Sequence, residues 1–430
     1  MARIVLPVMP FAGHVAPLTA VAAELVRRGH EVVAYTGEKY APRLTAVGAT
    51  WEPWRQAPDF DDADLAATFP QVGDGRGVRA GRANGEHVVL RTGVGQARDL
   101  LDLSERTPVD AIVTDSLAVG GALAAERLGL PWATVSVTPL TLASRHLPPP
   151  GTRLLPARTR AGRARDAVLR AVARAGTRRL LDPVVTEVRA QVGLGPAARS
   201  GFDGLASPRL VLAQGVPGLE YPRPDLPPEV RFVGRLAAPA PPRPDAGLPD
   251  WWPEVARARA EGRPVVHVTQ GTLHVDPGDL LRPALTGLAG GPALVVGTTG
   301  GAGAGLLGPL PPNVRTAPFL PHDELLPLVD VMVTNGGWGG VLSAVEAGVP
   351  LVVAGADLDK PEVARRVAWS GVGIDLRTRR PRPAAVRAAV QRVLTTPGMR
   401  AAAGRLGERM VAAGGAASAA DAVEMVLAGR

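Results

Sequence analysis

Between Pro222 and Pro244 the chain carries eight prolines, at 222, 224, 227, 228, 239, 241, 242 and 244. Proline lacks a backbone N–H and fixes its own φ, so a stretch this dense forms neither a helix nor a central strand. Residues 216–249 therefore read as an extended proline-rich linker. The 430 residues divide around it into 1–215 and 250–430, and each part must bury a core of its own. Hydrophobic residues make up 46% and charged residues 20%, which supports two cores and excludes disorder over most of the length.

On both sides of the linker, short apolar runs alternate with helix-like segments, the pattern of a parallel α/β sheet. Strands are expected at Ile4–Pro7, Val32–Tyr35, Ala111–Thr114, Trp132–Val137 and Leu210–Ala213. After the linker they are expected at Val265–Val268, Ala293–Val296, Val314–Ala317, Val331–Thr334, Leu351–Val353 and Gly373–Leu376. Leu18, Val21, Ala22, Leu25 and Val26 recur at helical spacing between the first two strands. The expected fold is two doubly wound, Rossmann-like α/β domains facing each other across a cleft, with ligands beyond the carboxyl ends of the strands.

Several function classes recede on composition. The formal charge is +8, but aromatics are only 4% and most basic residues are scattered, so a nucleic-acid surface is not expected. The exception is Arg158–Arg179, with eight arginines against Asp166, which reads as a solvated helix face or as a basic lid or membrane contact. There is no cysteine, and hence no disulfide or thiol chemistry. Pro7, Pro10 and His14 interrupt any export signal, and the longest uncharged stretch, Pro283–Val314, is broken by Gly and Pro. A cytoplasmic protein without a transmembrane segment is expected; a homodimer is left open.

Asn335-Gly336-Gly337-Trp338-Gly339-Gly340 follows an apolar strand and opens a helix. Glycines there let an anion approach the backbone, and the first N–H groups of a helix attract phosphate oxygens. Gly337 and Gly339 also begin a dinucleotide fingerprint, but Leu342 stands where its third glycine belongs. His14 and Asp115 each follow or end a strand at its carboxyl end, so a base and its orienting carboxylate can meet at one sheet rim.

With Gly13-His14-Val15-Ala16-Pro17 near the start, and Asn335 through Pro350 followed by Asp359-Lys360-Pro361, the chain resembles family 1 glycosyltransferases of the GT-B fold. Among these it is most similar to the bacterial antibiotic and macrolide type. The resemblance implies that His14 is the catalytic base and Asp115 its orienting acid. It places the donor diphosphate at Asn335, Gly336, Gly337, Gly339 and Gly340 and at Gly271 and Thr272. The nucleobase falls to Phe319, Leu320 and His322, and the sugar hydroxyls to Asp359 and Lys360.

Five positions depart from the family pattern: Asn335 stands where His is usual, Phe319 where Trp is frequent, His322 where Gln is common, Lys360 where Gln is usual and Ser343 where Glu is common. Ser343 replaces a ribose-gripping Glu, which suggests a TDP-deoxysugar over a UDP-sugar. No cofactor or metal is expected beyond the nucleotide-sugar co-substrate. Asp357-Leu358-Asp359 is a superficial metal triplet, and the acidic cluster Asp61, Asp62 and Asp64 reads as a solvated loop. A small hydrophobic aglycone would meet Trp54, Phe60, Phe69, Trp132 and His146, with inversion at the sugar carbon. The competing reading is a catalytically silent nucleotide-sugar-binding partner protein.

Overall fold

The computed structural model describes residues 1–72, 81–238, 247–271, 276–301 and 307–429. Among them, seven strands form one parallel sheet: β1 (Arg3–Pro7), β2 (Glu31–Thr36), β3 (Thr50–Pro53), β4 (Ala111–Asp115), β5 (Trp132–Ser136), β6 (Val211–Ala213) and β7 (Val230–Phe232). Their spatial order is β3-β2-β1-β4-β5-β6-β7. Six more form a second parallel sheet: β8 (Val265–Thr269), β9 (Leu294–Thr298), β10 (Val314–Ala317), β11 (Val331–Thr334), β12 (Leu351–Val353) and β13 (Gly373–Asp375). That sheet runs β10-β9-β8-β11-β12-β13.

Parallel strands covered on both faces read as continuous apolar runs, which is why these segments stood out in the sequence. Alternate side chains go to opposite faces. Ile4, Leu6, Val32 and Ala34 join one core cluster, while Val5, Val33 and Tyr35 join the other. The helix Ala12–Arg27 covers the first face with Leu18, Val21, Ala22 and Leu25, none of them exposed.

Two compact units result. One comprises Met1–Gln214, Pro222–Pro239 and Ala413–Arg430, the other Gly215–Tyr221 and Ala240–Ala412. The last helix, Gly415–Leu427, lends Ala419, Ala420, Ala422, Val423 and Val426 to the first unit's core. It is tied there by Arg28, whose Nη1 lies 2.6 Å from Asp421 and 2.8 Å from Glu424. His30 accepts from the Ala2 N–H at Nδ1 and donates from Nε2 to Glu424 at 3.0 Å.

The proline-rich segment is not extended linker throughout. Val230-Arg231-Phe232 lies between its proline clusters and pairs with β6 as the edge strand β7, a position that requires partners on one side only. Gly215–Tyr221 goes with the second unit, where Glu220 and Arg366 form a bidentate pair at 2.9 Å and each side chain is 4% exposed. The guanidinium of Arg366 also sits 4.6 Å above the Tyr221 ring. Among the described residues, no single helix is long and apolar enough to cross a membrane.

One core polar group makes the second unit acid-sensitive. His267, in β8, is fully buried; its Nδ1 donates to the Val296 carbonyl and its Nε2 has no partner among the described residues. Burial, reinforced by His322, pushes its pKa from 6.5 down to about 3. Below pH 6.5 the unfolded chain takes up a proton that the folded chain refuses, so stability is lost as pH falls. Between pH 7 and pH 5 the wild type should lose about 2 kcal/mol more than His267→Leu in denaturant titrations. Parallel slopes for the two proteins would disprove this.

Candidate active site

Each sheet reverses its strand order once, between β1 and β4 in the first and between β8 and β11 in the second. Loops leaving neighbouring strands at such a point part to opposite faces and open a crevice. His14 and Asp115 meet at the first of these points, and Asn335 with its glycines and Gly271 at the second.

In the first unit, His14 lies in the opening turn of the helix after β1, and Asp115 ends β4. His14 Nδ1 and Asp115 Oδ2 are 2.7 Å apart, with side-chain exposures of 14% and 0%. The carboxylate also accepts the Met9 N–H at 3.1 Å and the Leu117 N–H at 2.9 Å. An ionised carboxylate is acceptor only, so Nδ1 carries the proton in the neutral ring and leaves a lone pair on Nε2. The Phe11 ring, 5.2 Å from the imidazole, packs beside it.

Asp62 contributes what the sequence reading missed. It is not solvated: its side chain is 4% exposed and accepts from the Ala12 N–H at 3.1 Å, the Tyr40 hydroxyl at 2.7 Å and Lys39 at 2.5 Å. It thereby caps the helix that carries His14, where Phe11 at the N-cap offers no side-chain acceptor. A cap supplied from fifty residues downstream leaves no local signature. Asp64 caps its own short helix through the Ala67 N–H, and Asp61 pairs with Lys39.

The four aromatic residues expected against the aglycone, Trp54, Phe60, Phe69 and Trp132, lie in the core, each less than a tenth exposed. Phe60 joins them through contacts with Trp54, Phe69 and Phe11. The loop holding Trp54 is fixed by buried Asp99, which accepts the Tyr35 hydroxyl and the N–H groups of Arg55 and Gln56. His146 is exposed elsewhere, its N–H bonded to Ser144. The arginine-rich segment forms the helix Arg160–Leu180, largely exposed apart from Asp166.

In the second unit, pairing of Thr334 with Thr269 brings the loops after β11 and β8 together. Asn335 joins them: its Nδ2 donates to the Gln270 carbonyl and its Oδ1 accepts the Gly337 N–H. A Cβ on Gly271, at φ +76°, would already touch the Asn335 amide. Thr272 lies outside the described residues, as does His274. The helix Trp338–Glu346 starts here, and the N–H groups of Trp338, Gly339 and Gly340 have no partner among the described residues. Gly339 is exposed and Gly340 half-buried, so that end of the helix is open to an anion.

Ser343 turns its hydroxyl to the Gly339 carbonyl at 3.0 Å and is 9% exposed. Phe319 presents a ring 44% exposed against the backbone of Gly301, a surface on which a flat base can stack. Leu320 is buried beneath it in sequence, and His322 begins a short helix with its ring 5.5 Å from His267. Leu358 holds φ +55°, a left-handed conformation costing a branched residue about 1–2 kcal/mol, between Asp357 and Asp359. Asp357 pairs with Arg379 at 3.0 Å, and no cluster of three or more metal-ligating side chains occurs among the described residues.

The glycines of this loop divide by what a methyl group would meet. On Gly336, at φ +88°, it would come within 2.8 Å of Val353; on Gly355 it would strike the Asn335 carbonyl and come within 2.7 Å of Lys360 Cβ; on Gly339 it meets open space. Gly336→Ala and Gly355→Ala should each cost about 2 kcal/mol of stability, and Gly339→Ala none. Thermal unfolding of the three variants checks this, and equal losses in all three would refute it.

Residues 293–425 match the family model described as the erythromycin biosynthesis protein CIII-like C-terminal domain. Over 424 residues the chain is 42% identical to the 4'-demethylrebeccamycin synthase of Lentzea aerocolonigenes, covering 98% of this chain and 99% of that protein. It is 33% identical to UDP-glucosyltransferase 1 of Beauveria bassiana, over 92% of this chain and 89% of the relative. The solved calicheamicin glycosyltransferase superposes with a TM-score of 0.71 at 25% identity, over 100% of this chain and 98% of that one. With its two parallel α/β sheets, the chain belongs to the GT-B glycosyltransferases of antibiotic and natural-product biosynthesis.

Proposed function

We propose that this glycosyltransferase moves a sugar from a nucleoside diphosphate to a small hydrophobic aglycone by a single displacement with inversion, without a metal. The observation that carries the reading is the 2.7 Å His14–Asp115 pair, with Nδ1 committed to the carboxylate. Nε2 of His14 takes the proton of the acceptor nucleophile as that atom attacks C1 of the sugar. The bond from C1 to the diphosphate oxygen breaks, and its electron pair leaves with the phosphate. Asp115 stabilises the imidazolium that forms. The open N–H groups of Trp338, Gly339 and Gly340 receive the growing negative charge, with backbone dipoles already oriented before reaction. An intact dyad speaks against a silent partner protein.

Two readings of the nucleotide have support. The inward-turned Ser343 presents no carboxylate to a ribose diol, which favours a deoxyribose donor such as a TDP-deoxysugar. The likeness to a relative named as a UDP-glucosyltransferase favours UDP.

Thermal-shift titration with TDP, UDP, GDP and NAD, each with and without EDTA, separates them. Stabilisation by TDP beyond UDP that survives EDTA is the expected outcome; stabilisation by NAD alone would sink the donor reading. His14→Ala should cut turnover by about 10²–10⁴-fold with nucleotide affinity nearly intact, and unchanged turnover would remove His14 from the role.

A further inference from the structure

We infer that Lys360 binds the donor diphosphate and supplies the positive charge that neutral Asn335 cannot, an inference that rests on the donor-site reading above. A diphosphate arrives with a charge of about −2 to −3, whereas a helix start offers the equivalent of roughly half a positive charge. Asn335 adds little, since its amide is engaged with Gln270 and Gly337. A full cation has to come from elsewhere in the cleft.

The cleft beside Asn335 is lined by Gln270, Gly355, Asp357, Lys360 and Arg379, among others. Its other charged side chains are matched: Arg379 lies 3.0 Å from Asp357 and 3.5 Å from Asp279, which Arg380 also holds at 2.5 Å. Lys360 differs. The residue is 6% exposed; its ammonium makes no hydrogen bond or ion pair among the described residues, and Nζ is not sealed from solvent. A cation on a buried stem that opens into the cleft without a counter-charge of its own is placed to meet an anionic ligand.

Its placement follows from the sheet. Thr334 pairs with Val353, so the loops carrying Asn335 and Lys360 leave adjacent strands side by side. Gly336 and Gly355 make room for the lysine stem: Cβ atoms built on them lie 3.7 Å and 2.7 Å from Lys360 Cβ. Lys360 is also the first residue of the helix Lys360–Trp369, fixed by its N–H to the Asp357 carbonyl at 3.1 Å. A flexible stem ending in a compact ammonium suits a phosphate, which it meets as a point charge.

The test is calorimetric titration of TDP and UDP into the unaltered chain, Lys360→Met, Lys360→Gln and Lys360→Arg, with unfolding midpoints recorded in parallel. Lys360→Met should weaken nucleotide binding about 10- to 100-fold with the unfolding midpoint little changed, because it removes a charge-assisted contact to phosphate and leaves the buried stem in place. Lys360→Gln should follow it in affinity, and Lys360→Arg should retain most of the binding. Unaltered TDP and UDP affinity in Lys360→Met, with a raised KM for the intact nucleotide sugar, would overturn the inference and give Lys360 to the sugar instead. If the unaltered chain binds neither nucleotide, the donor-site reading itself fails and takes this inference with it.

Discussion

A parallel sheet whose strand order reverses must, at one place, send two neighbouring chains to opposite faces. No connection covers the rim there, and backbone groups at the strand ends are left facing outward. This chain has two such places, and its chemistry-bearing residues follow from them. At the first, β1 and β4 deliver an imidazole and a carboxylate within hydrogen-bonding reach. At the second, β8 and β11 deliver two glycine-containing loops and the start of a helix. The same constraint is met by side-chain acid–base groups in one sheet and by bare backbone in the other.

Most of this was legible because burial on both sheet faces writes itself as unbroken Val, Ile, Leu and Ala. The two strands that the sequence hid are both at edges. Thr50–Pro53 ends in proline and carries a Trp and a Glu, and Val230–Phe232 is three residues long between prolines. An edge strand shares only one side with its sheet, so nothing forces it into an apolar run. Asp115 was legible for the opposite reason: it terminates a fully buried strand, where an acid has to have a purpose.

Long-range polar service was not legible. Asp62 reaches across fifty residues to cap the helix of His14, and Asp99 organises the loop of Trp54 from a helix far along the chain. In the sequence such acids look like any surface acid. The aromatic residues misled in the other direction, since Trp54, Phe60 and Phe69 form a connected core beneath Phe11 and set its ring against the imidazole. Their service to the site is rigidity of the residue that touches His14.

The helix Gly415–Leu427 has a consequence for how the protein is made. It fills the core of the first unit with side chains that the ribosome adds after all of the second unit. Domains ordinarily complete in the order of synthesis. Here the first sheet emerges early but waits, with Leu18, Val21 and Leu25 lacking their final cover, until the whole of the second sheet has followed. The second unit holds all of its strands by then. The unit that carries His14 and Asp115 is thus the last to complete its core.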